Sequence, residues 1–223
     1  MDQVITPGDY LAFLDARLPG LVAGAHVYGS RVLDDVVPDS DLDIVIELSS
    51  ARELPAFDGA DVTVVLAGSL EKPVFDVTPL AGEITPVLWQ QLRTVGQTVR
   101  GTRPTCPGTA ADVEAYCRDN LVSYWKLDWD RFRSAVPTLD PEAPIARDTV
   151  LWVGLGPARL WHTIRTGEIV SKSRAGELAA ARWPDLPILD LVASRRGEDV
   201  PLKVAHGLAG LELFDRIMAD VTT

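Results

Sequence analysis

The sequence predicts an α/β protein in two parts, an N-terminal sheet with flanking helices followed by an all-helical C-terminal bundle. Three apolar runs are typical of strands, at residues 22–28, 42–48 and 61–66, and the last is rich in β-branched residues. After the Pro- and Gly-containing stretch 101–107, apolar residues recur at helical spacing. We therefore expect one domain over residues 1–105 and a second, helical domain over residues 106–223.

Each element of the N-terminal part has its own signal. Residues 10–17 have helical spacing, which Leu18-Pro19-Gly20 ends. Residues 22–28 alternate as a strand and stop at Gly29-Ser30, whereas 42–48 is almost continuously apolar, as in a buried central strand. The other predicted elements are a short helix at 49–54, strands at 61–66 and 74–80, and a helix carrying Trp89, Leu92 and Val95.

The C-terminal part has the capping signals of successive helices. Thr109 is the expected N-cap of the first, with Asp112 at its third helical position and apolar residues continuing to Trp125. A second helix is expected at 147–166, with Pro157 inside it and Gly167 at its end. A third is expected to begin after an N-cap at Ser171, a fourth at 186–196, and the last at Pro201.

Composition excludes several classes of function. The net charge of −11 is unsuited to a nucleic-acid groove, whose affinity comes mostly from neutralising phosphates. No leader pattern and no apolar run of about 20 residues is present. We expect a cytoplasmic monomer or weak homodimer without membrane partners. Cys106 and Cys117 do not have a metal-ligand spacing and are expected to be buried thiols.

One stretch carries chemistry: "YGSRVLDDVVPDSDLDIVI", residues 28–46. Asp41 and Asp43, two apart at the start of a strand, point to the same side of a sheet and can share hard cations such as Mg²⁺. Gly29 permits close backbone approach, and Ser30 offers a hydroxyl and an N–H to a phosphate. Together they indicate nucleotide chemistry, although each piece alone also fits an ordinary turn or a solvated strand start.

The spacing of Gly-Ser and Asp-Leu-Asp before an apolar strand resembles the signature of the nucleotidyltransferase superfamily. Residues 155–197 resemble the C-terminal helical domain of aminoglycoside adenylyltransferases that modify streptomycin and spectinomycin. Residues 84–101 and 120–125 resemble further segments of such proteins, in the same order. The resemblance implies a nucleotidyltransferase-type mixed sheet followed by a helical bundle.

The resemblance also implies an activity. It is the transfer of AMP from ATP to a hydroxyl of a cationic aminoglycoside or aminocyclitol, with release of pyrophosphate. Two Mg²⁺ ions would serve as cofactors. Asp41 and Asp43 would bind the metal, and a carboxylate on the next strand would act as general base. The family pattern, a carboxylate followed by Val-Thr, nominates Asp61 in "DVTVVL", with Asp76 in "FDVT" as its competitor.

For nucleotide binding, the resemblance selects Gly29, Ser30 and two basic residues of the helical part. The two are Arg159 in "GPARLW" and Lys172 in "IVSKS", which match family residues that hold phosphates. Solvated helix surfaces are the ordinary place for such side chains.

The sequence departs from the family at several points, two of which concern the predicted catalytic face. Asp34 and Asp35 stand where the family usually has glycine, so we expect a different loop geometry and charge. Asp61 replaces a residue that is often glutamate and reaches one methylene less far. Two alternatives stay open: transfer to another metabolite or to a protein, and a catalytically silent nucleotide-binding module that regulates a partner.

Overall fold

The computed structural model describes residues 5–37 and 40–222, apart from the side chain of Pro137. The chain divides into two compact units, Met1–Thr109 and Ala110–Thr223. The predicted division, after residue 105, lies four residues earlier. The α/β class of the first unit and the helical class of the second agree with the prediction from sequence.

The first unit is built on a four-stranded mixed sheet in the order β3-β2-β1-β4. β1 is antiparallel to both β2 and β4, whereas β2 and β3 are parallel. Its elements are α1 (Pro7–Arg17), β1 (Val22–Val27), β2 (Leu42–Leu48), β3 (Ala60–Leu66), α2 (Pro86–Thr94) and β4 (Gln97–Arg100).

Each face of the sheet carries its own core. Leu42, Ile44 and Ile46 of β2 point to one face and pack with α1, where Leu14 is fully buried. The alternate residue Val45 points to the other face and packs with α2. Because side chains alternate along a strand, the two faces can serve different purposes.

Three predicted elements differ from the structure. Residues 49–54 form no helix. They belong to the short connection between the parallel strands β2 and β3, which also contains the helix breakers Pro55 and Gly59. Residues 74–80 form no strand; Val74–Asp76 is a 3₁₀ turn after Pro73. The sequence does not predict β4, because Gln97–Arg100 is short, polar and at the edge of the sheet. Its pairing with β1 identifies it as a strand.

The second unit is wholly helical in the described residues. A π-helical segment, Leu121–Trp125, joins α3 and α4. No helix of the described ranges is both long and apolar enough to cross a membrane. The helices are α3 (Ala110–Asn120), α4 (Lys126–Ala135), α5 (Arg147–Thr166), α6 (Lys172–Arg182), α7 (Ile188–Arg195) and α8 (Val204–Thr222).

Capping explains two of these helix ends, the end of α5 and the start of α6. α5 ends as predicted at Gly167, which has φ +76°, and the Ser171 hydroxyl accepts a hydrogen bond from the Arg174 N–H at 3.2 Å to begin α6. The expected start of the last helix at Pro201 is wrong. α8 begins at Val204, whose N–H donates to the Ala143 carbonyl at 2.9 Å, so an upstream loop satisfies its first turn.

The cysteines are buried, as predicted. Both Cys106 and Cys117 are free thiols with no exposed surface. Burial raises the pKa of each thiol to about 12. Neither is therefore a candidate nucleophile at neutral pH.

Glycines allow close packing in the helical unit. A Cβ on Gly156 of α5 would overlap the indole ring of Trp125, and one on Gly154 would overlap the Leu191 side chain. A Cβ on Gly210 of α8, in contrast, would meet its nearest atom at an ordinary 3.6 Å. Helical glycine is thus required at Gly156, where a rigid ring is in the way, whereas at Gly154 the end of a flexible leucine side chain would have to move, and at Gly210 nothing would.

We predict that Gly156→Ala lowers the free energy of unfolding by about 1–3 kcal/mol, because the added methyl group overpacks against Trp125. Gly210→Ala is the matched control, and is expected to be neutral or to stabilise by up to about 1 kcal/mol through helix propensity. Urea unfolding followed by tryptophan fluorescence measures both. Equal effects of the two substitutions would contradict the packing described here.

Candidate functional site

The Asp43 carboxylate lies directly against Gly29. Gly29 has φ +70°, and a Cβ there would overlap the Asp43 Oδ2 atom. The Ser30 N–H faces the same oxygen at 3.4 Å, and the Tyr28 N–H donates to the Asp43 carbonyl at 3.1 Å. Glycine is therefore required twice over, for its left-handed backbone and for the space that the carboxylate occupies.

Asp61 is brought beside Asp43 by the parallel pairing of β2 with β3. The two residues are register partners, so their side chains share one face of the sheet at about the spacing of adjacent strands, roughly 5 Å. Asp76 is an exposed residue of the 3₁₀ turn Val74–Asp76 and has no partner in the sheet. The structure thus pairs Asp61, and not Asp76, with Asp43.

Asp41 precedes β2 and is exposed, whereas Asp43 is partly buried. Asp41 lies one residue outside the strand, so its place on the same side as Asp43 stays a prediction from the two-residue spacing. Over residues 5–37 and 40–222, no three His, Cys, Asp or Glu side chains converge as a metal-binding group. One or two carboxylates completed by substrate phosphates is the usual arrangement for Mg²⁺, and the oxygen donors of Asp41 and Asp43 fit it.

Tyr28 completes this face, although the sequence analysis gave it no role. Burial raises the pKa of its phenol above the ordinary value, and the negative charges of Asp61 and Asp43 raise it further. A hydrogen bond with the Thr63 side chain acts in the opposite direction. The phenol is therefore a neutral hydrogen-bonding group among carboxylates across the physiological pH range.

Gln91 of α2 is a second residue that sequence reasoning missed. Its side chain is buried, and its Oε1 accepts a hydrogen bond from the Gly29 N–H at 2.9 Å. This bond holds the Gly-Ser turn against α2. The sequence feature that could have identified Gln91 is its place on the inner face of a helix, because a buried amide without a hydrogen-bond partner would be costly.

The loop after Ser30 keeps a glycine-like backbone without glycine. Asp34 has φ +51°, in the left-handed region that usually takes glycine and that aspartate tolerates better than most residues. The N–H of buried Asp35 donates to the Ser30 carbonyl at 3.0 Å and folds the loop back onto the turn. Asp34 thus takes a backbone conformation that glycine adopts freely, and the two aspartates add negative charge to the loop.

The two predicted basic residues lie on adjoining helices of the second unit. Arg159 is in α5 with its Nε atom buried, and Lys172 is the first residue of α6. A Cβ on Gly176 of α6 would press on Leu155 of α5, so the helices touch there. Each basic residue is one turn from that contact, toward the short connection 167–171, which places both near the same end of the helix pair.

Comparisons with known proteins bear on the fold. No protein-family model matches the chain, and no curated protein matches it in sequence. The structure is similar to the crystal structure of spectinomycin adenyltransferase AAD(9) from Enterococcus faecialis with ATP and spectinomycin. The likeness has a TM-score of 0.60 at 17% identity, over 94% of this chain and 96% of that one. The chain has the fold of an aminoglycoside adenylyltransferase.

That fold confirms the predicted class, a nucleotidyltransferase-type mixed sheet followed by a helical part. The likeness extends over both units of the chain, so it does not depend on the Gly-Ser and Asp-x-Asp motif alone.

A prediction follows for the loop after Ser30. Asp34→Gly is expected to leave stability unchanged or to raise it slightly, since glycine adopts φ +51° freely. Asp34→Ala is expected to lower the free energy of unfolding by about 1 kcal/mol or more, because alanine is strained in that conformation. Urea unfolding of the two variants compares them at equal loss of charge. An alanine variant as stable as the glycine variant would refute the left-handed conformation.

Proposed function

We propose that this protein is a nucleotidyltransferase that moves AMP from ATP to a hydroxyl of an aminoglycoside or aminocyclitol, releasing pyrophosphate. The observation that carries the proposal is the pairing of Asp43 with Asp61 on one face of the sheet, where the lack of a side chain on Gly29 leaves room for the Asp43 carboxylate. The fold shared with an adenyltransferase crystallised with ATP supports the same reaction.

Asp61 is the proposed general base. The acceptor hydroxyl oxygen attacks the α-phosphorus of ATP and gives its proton to the Asp61 carboxylate, while the bond from the α-phosphorus to the bridging oxygen breaks. The electron pair of that bond leaves with pyrophosphate. The exposed position of Asp61 at the start of β3 leaves it open to an acceptor, and a positioned base of this kind contributes about 10²–10⁴-fold.

Asp41 and Asp43 are the proposed ligands of Mg²⁺. When bound, the ion neutralises phosphate charge and orients the phosphates for in-line displacement. The chain's own contribution is to hold the Asp43 carboxylate rigidly, through Gly29 and the Ser30 N–H. Gln91 and the sheet in turn hold Gly29, so the carboxylate is placed before any substrate arrives.

Arg159 and Lys172 are the proposed cationic contacts of the triphosphate. Phosphoryl-type transfer depends mostly on positioning and charge neutralisation, and two cations near one end of a helix pair suit a polyphosphate. Lys172 stands in the first turn of α6, where the helix dipole also favours an anion.

The proposed acceptor is a cationic small molecule. Spectinomycin is present with ATP in the adenyltransferase of the same fold, and the net charge of −11 favours approach of a cation. Another metabolite, a protein acceptor or a silent nucleotide-binding role are the alternatives that the following experiment separates.

The test is pyrophosphate release from ATP and Mg²⁺, with spectinomycin, streptomycin and further aminoglycosides added one at a time. We expect release that depends on one of these antibiotics, with an adenylylated product seen as an added AMP mass. ATP binding without release across the panel would overturn the antibiotic as acceptor, and absence of ATP binding would overturn the nucleotidyltransferase proposal itself.

Substitution of single carboxylates tests their roles. Asp43→Asn is expected to lower turnover by about 10³-fold or more, since Mg²⁺ loses a charged ligand, and Asp61→Asn by about 10²–10⁴-fold through loss of the base. Asp76→Asn is the matched control and should retain turnover within about 2-fold. The far-ultraviolet circular dichroism spectrum of all three should be unchanged. Normal turnover in Asp43→Asn, or a large loss in Asp76→Asn, would reverse the assignment.

A further inference from the structure

A cavity of about 890 Å³ opens on the face of the sheet that does not carry Asp43 and Asp61. Ala60, Val62 and Val64 line it from β3, and these residues alternate with Asp61 and Thr63 along the strand. The cavity therefore lies on the α1 side of the sheet, separate from the carboxylates.

The cavity exists because of how β2 connects to β3. Parallel neighbouring strands are usually joined by about a dozen residues or more, most often with a helix that covers the sheet. Here residues 49–59 make the connection without a helix. The loop crosses beside the face of β3 and leaves Val62 only partly covered, with exposed Leu80 on the far side.

Tyr10 of α1 gives this apolar space a polar group. Its side chain is only 1% exposed, and it lines the cavity. Among residues 5–37 and 40–222, its hydroxyl has no hydrogen-bond partner, yet the oxygen is not among the fully enclosed unpaired polar atoms. The little surface that Tyr10 retains thus faces the cavity. The hydroxyl is thus free to donate a hydrogen bond to a group placed in that space.

The ring of Tyr10 is held in place. Its centroid lies 5.0 Å from that of Phe57, in the loop, and Phe57 in turn lies 4.7 Å from Phe13. These contacts fix the hydroxyl and anchor the loop. The wall of the cavity is therefore preformed, as in most sites that bind small molecules.

The lining decides the chemistry of the ligand. Most of the side chains that line it are aliphatic or aromatic, and the Tyr10 hydroxyl is the neutral polar side-chain group among them. The charged residues at its rim have both signs, Arg52 against Glu53 and Asp58, and select neither an anion nor a cation. A volume of about 890 Å³ is within the range of small-molecule pockets, roughly 300–1,000 Å³.

We infer that this cavity is a second binding site, for a neutral, largely apolar small molecule of fused-ring size that accepts a hydrogen bond from the Tyr10 hydroxyl. The site is independent of the nucleotide chemistry proposed above. Its occupant would brace the partly covered face of β3, the strand whose opposite face carries Asp61.

Nile red, a neutral fused-ring dye with a carbonyl acceptor, is the probe. Titration into the chain of 223 residues without ATP is expected to give a saturable rise in fluorescence with one dye bound per chain. Tyr10→Phe should weaken the affinity by about 3- to 10-fold, as loss of one hydrogen bond does. Tyr124→Phe, at a half-exposed tyrosine of the helical unit, is the matched control and should bind as the wild type.

Filling the cavity supplies the second arm. Val62→Trp should reduce the affinity more than 10-fold, and Ala56→Trp, on the exposed loop, should do the same if Val62→Trp folds poorly. Phe75→Ala removes a side chain that is 73% exposed and should leave binding unchanged. Thermal unfolding checks that each variant is folded.

Three outcomes would overturn the inference. They are a wild-type signal that does not saturate, an affinity unchanged in both tryptophan variants, and a signal lost in Phe75→Ala, which would mean that the dye binds the exposed surface. An unaltered affinity in Tyr10→Phe would overturn the assignment of the hydroxyl. Because no arm uses ATP or pyrophosphate release, failure here and failure of the proposed transfer reaction are distinguishable.

Discussion

Parallel pairing between β2 and β3 places Asp43 beside Asp61 on one face of the sheet and leaves Val62 on the other. Both candidate sites of the first unit depend on this register. A slip by one residue would turn Asp61 toward α1 and separate it from Asp43. The buried residues of β2, such as Ile44 and Ile46, oppose such a slip because it would move an apolar row out of its core.

The carboxylate face is organised around negative charge. Asp43 and Asp61 lie close enough to act together on the phenol of Tyr28, raising its pKa beyond the effect of burial. Like charges held side by side are unfavourable unless cations join them. Rigid placement through Gly29 and Gln91 maintains this arrangement in the free protein, so that Mg²⁺ and a cationic acceptor are the natural complements of the proposed site.

The helical unit obtains its rigidity from close backbone approach. Gly154 and Gly156 let α5 receive the side chains of Leu191 and Trp125, and Gly176 lets α6 rest on α5. This contact also bears on the proposed site, because Arg159 and Lys172 lie near the same end of the helix pair through it. A bulkier residue at these glycines would move the cations as well as lower stability.

The sequence by itself determined the elements whose signals are local: the apolar strand β2, the capped ends of α5 and α6, and the Gly-Ser and Asp-x-Asp spacing. The sequence also predicted the α/β class, because the hydrophobic pattern changes from strand spacing to helical spacing after residues 101–107. Only the tertiary structure decided that Asp61 rather than Asp76 opposes Asp43, that Gln97–Arg100 is a strand, and that residues 49–59 form no helix. The physical reason is that strand partners, register and coverage of a sheet face are set by residues distant in sequence, which no local pattern records.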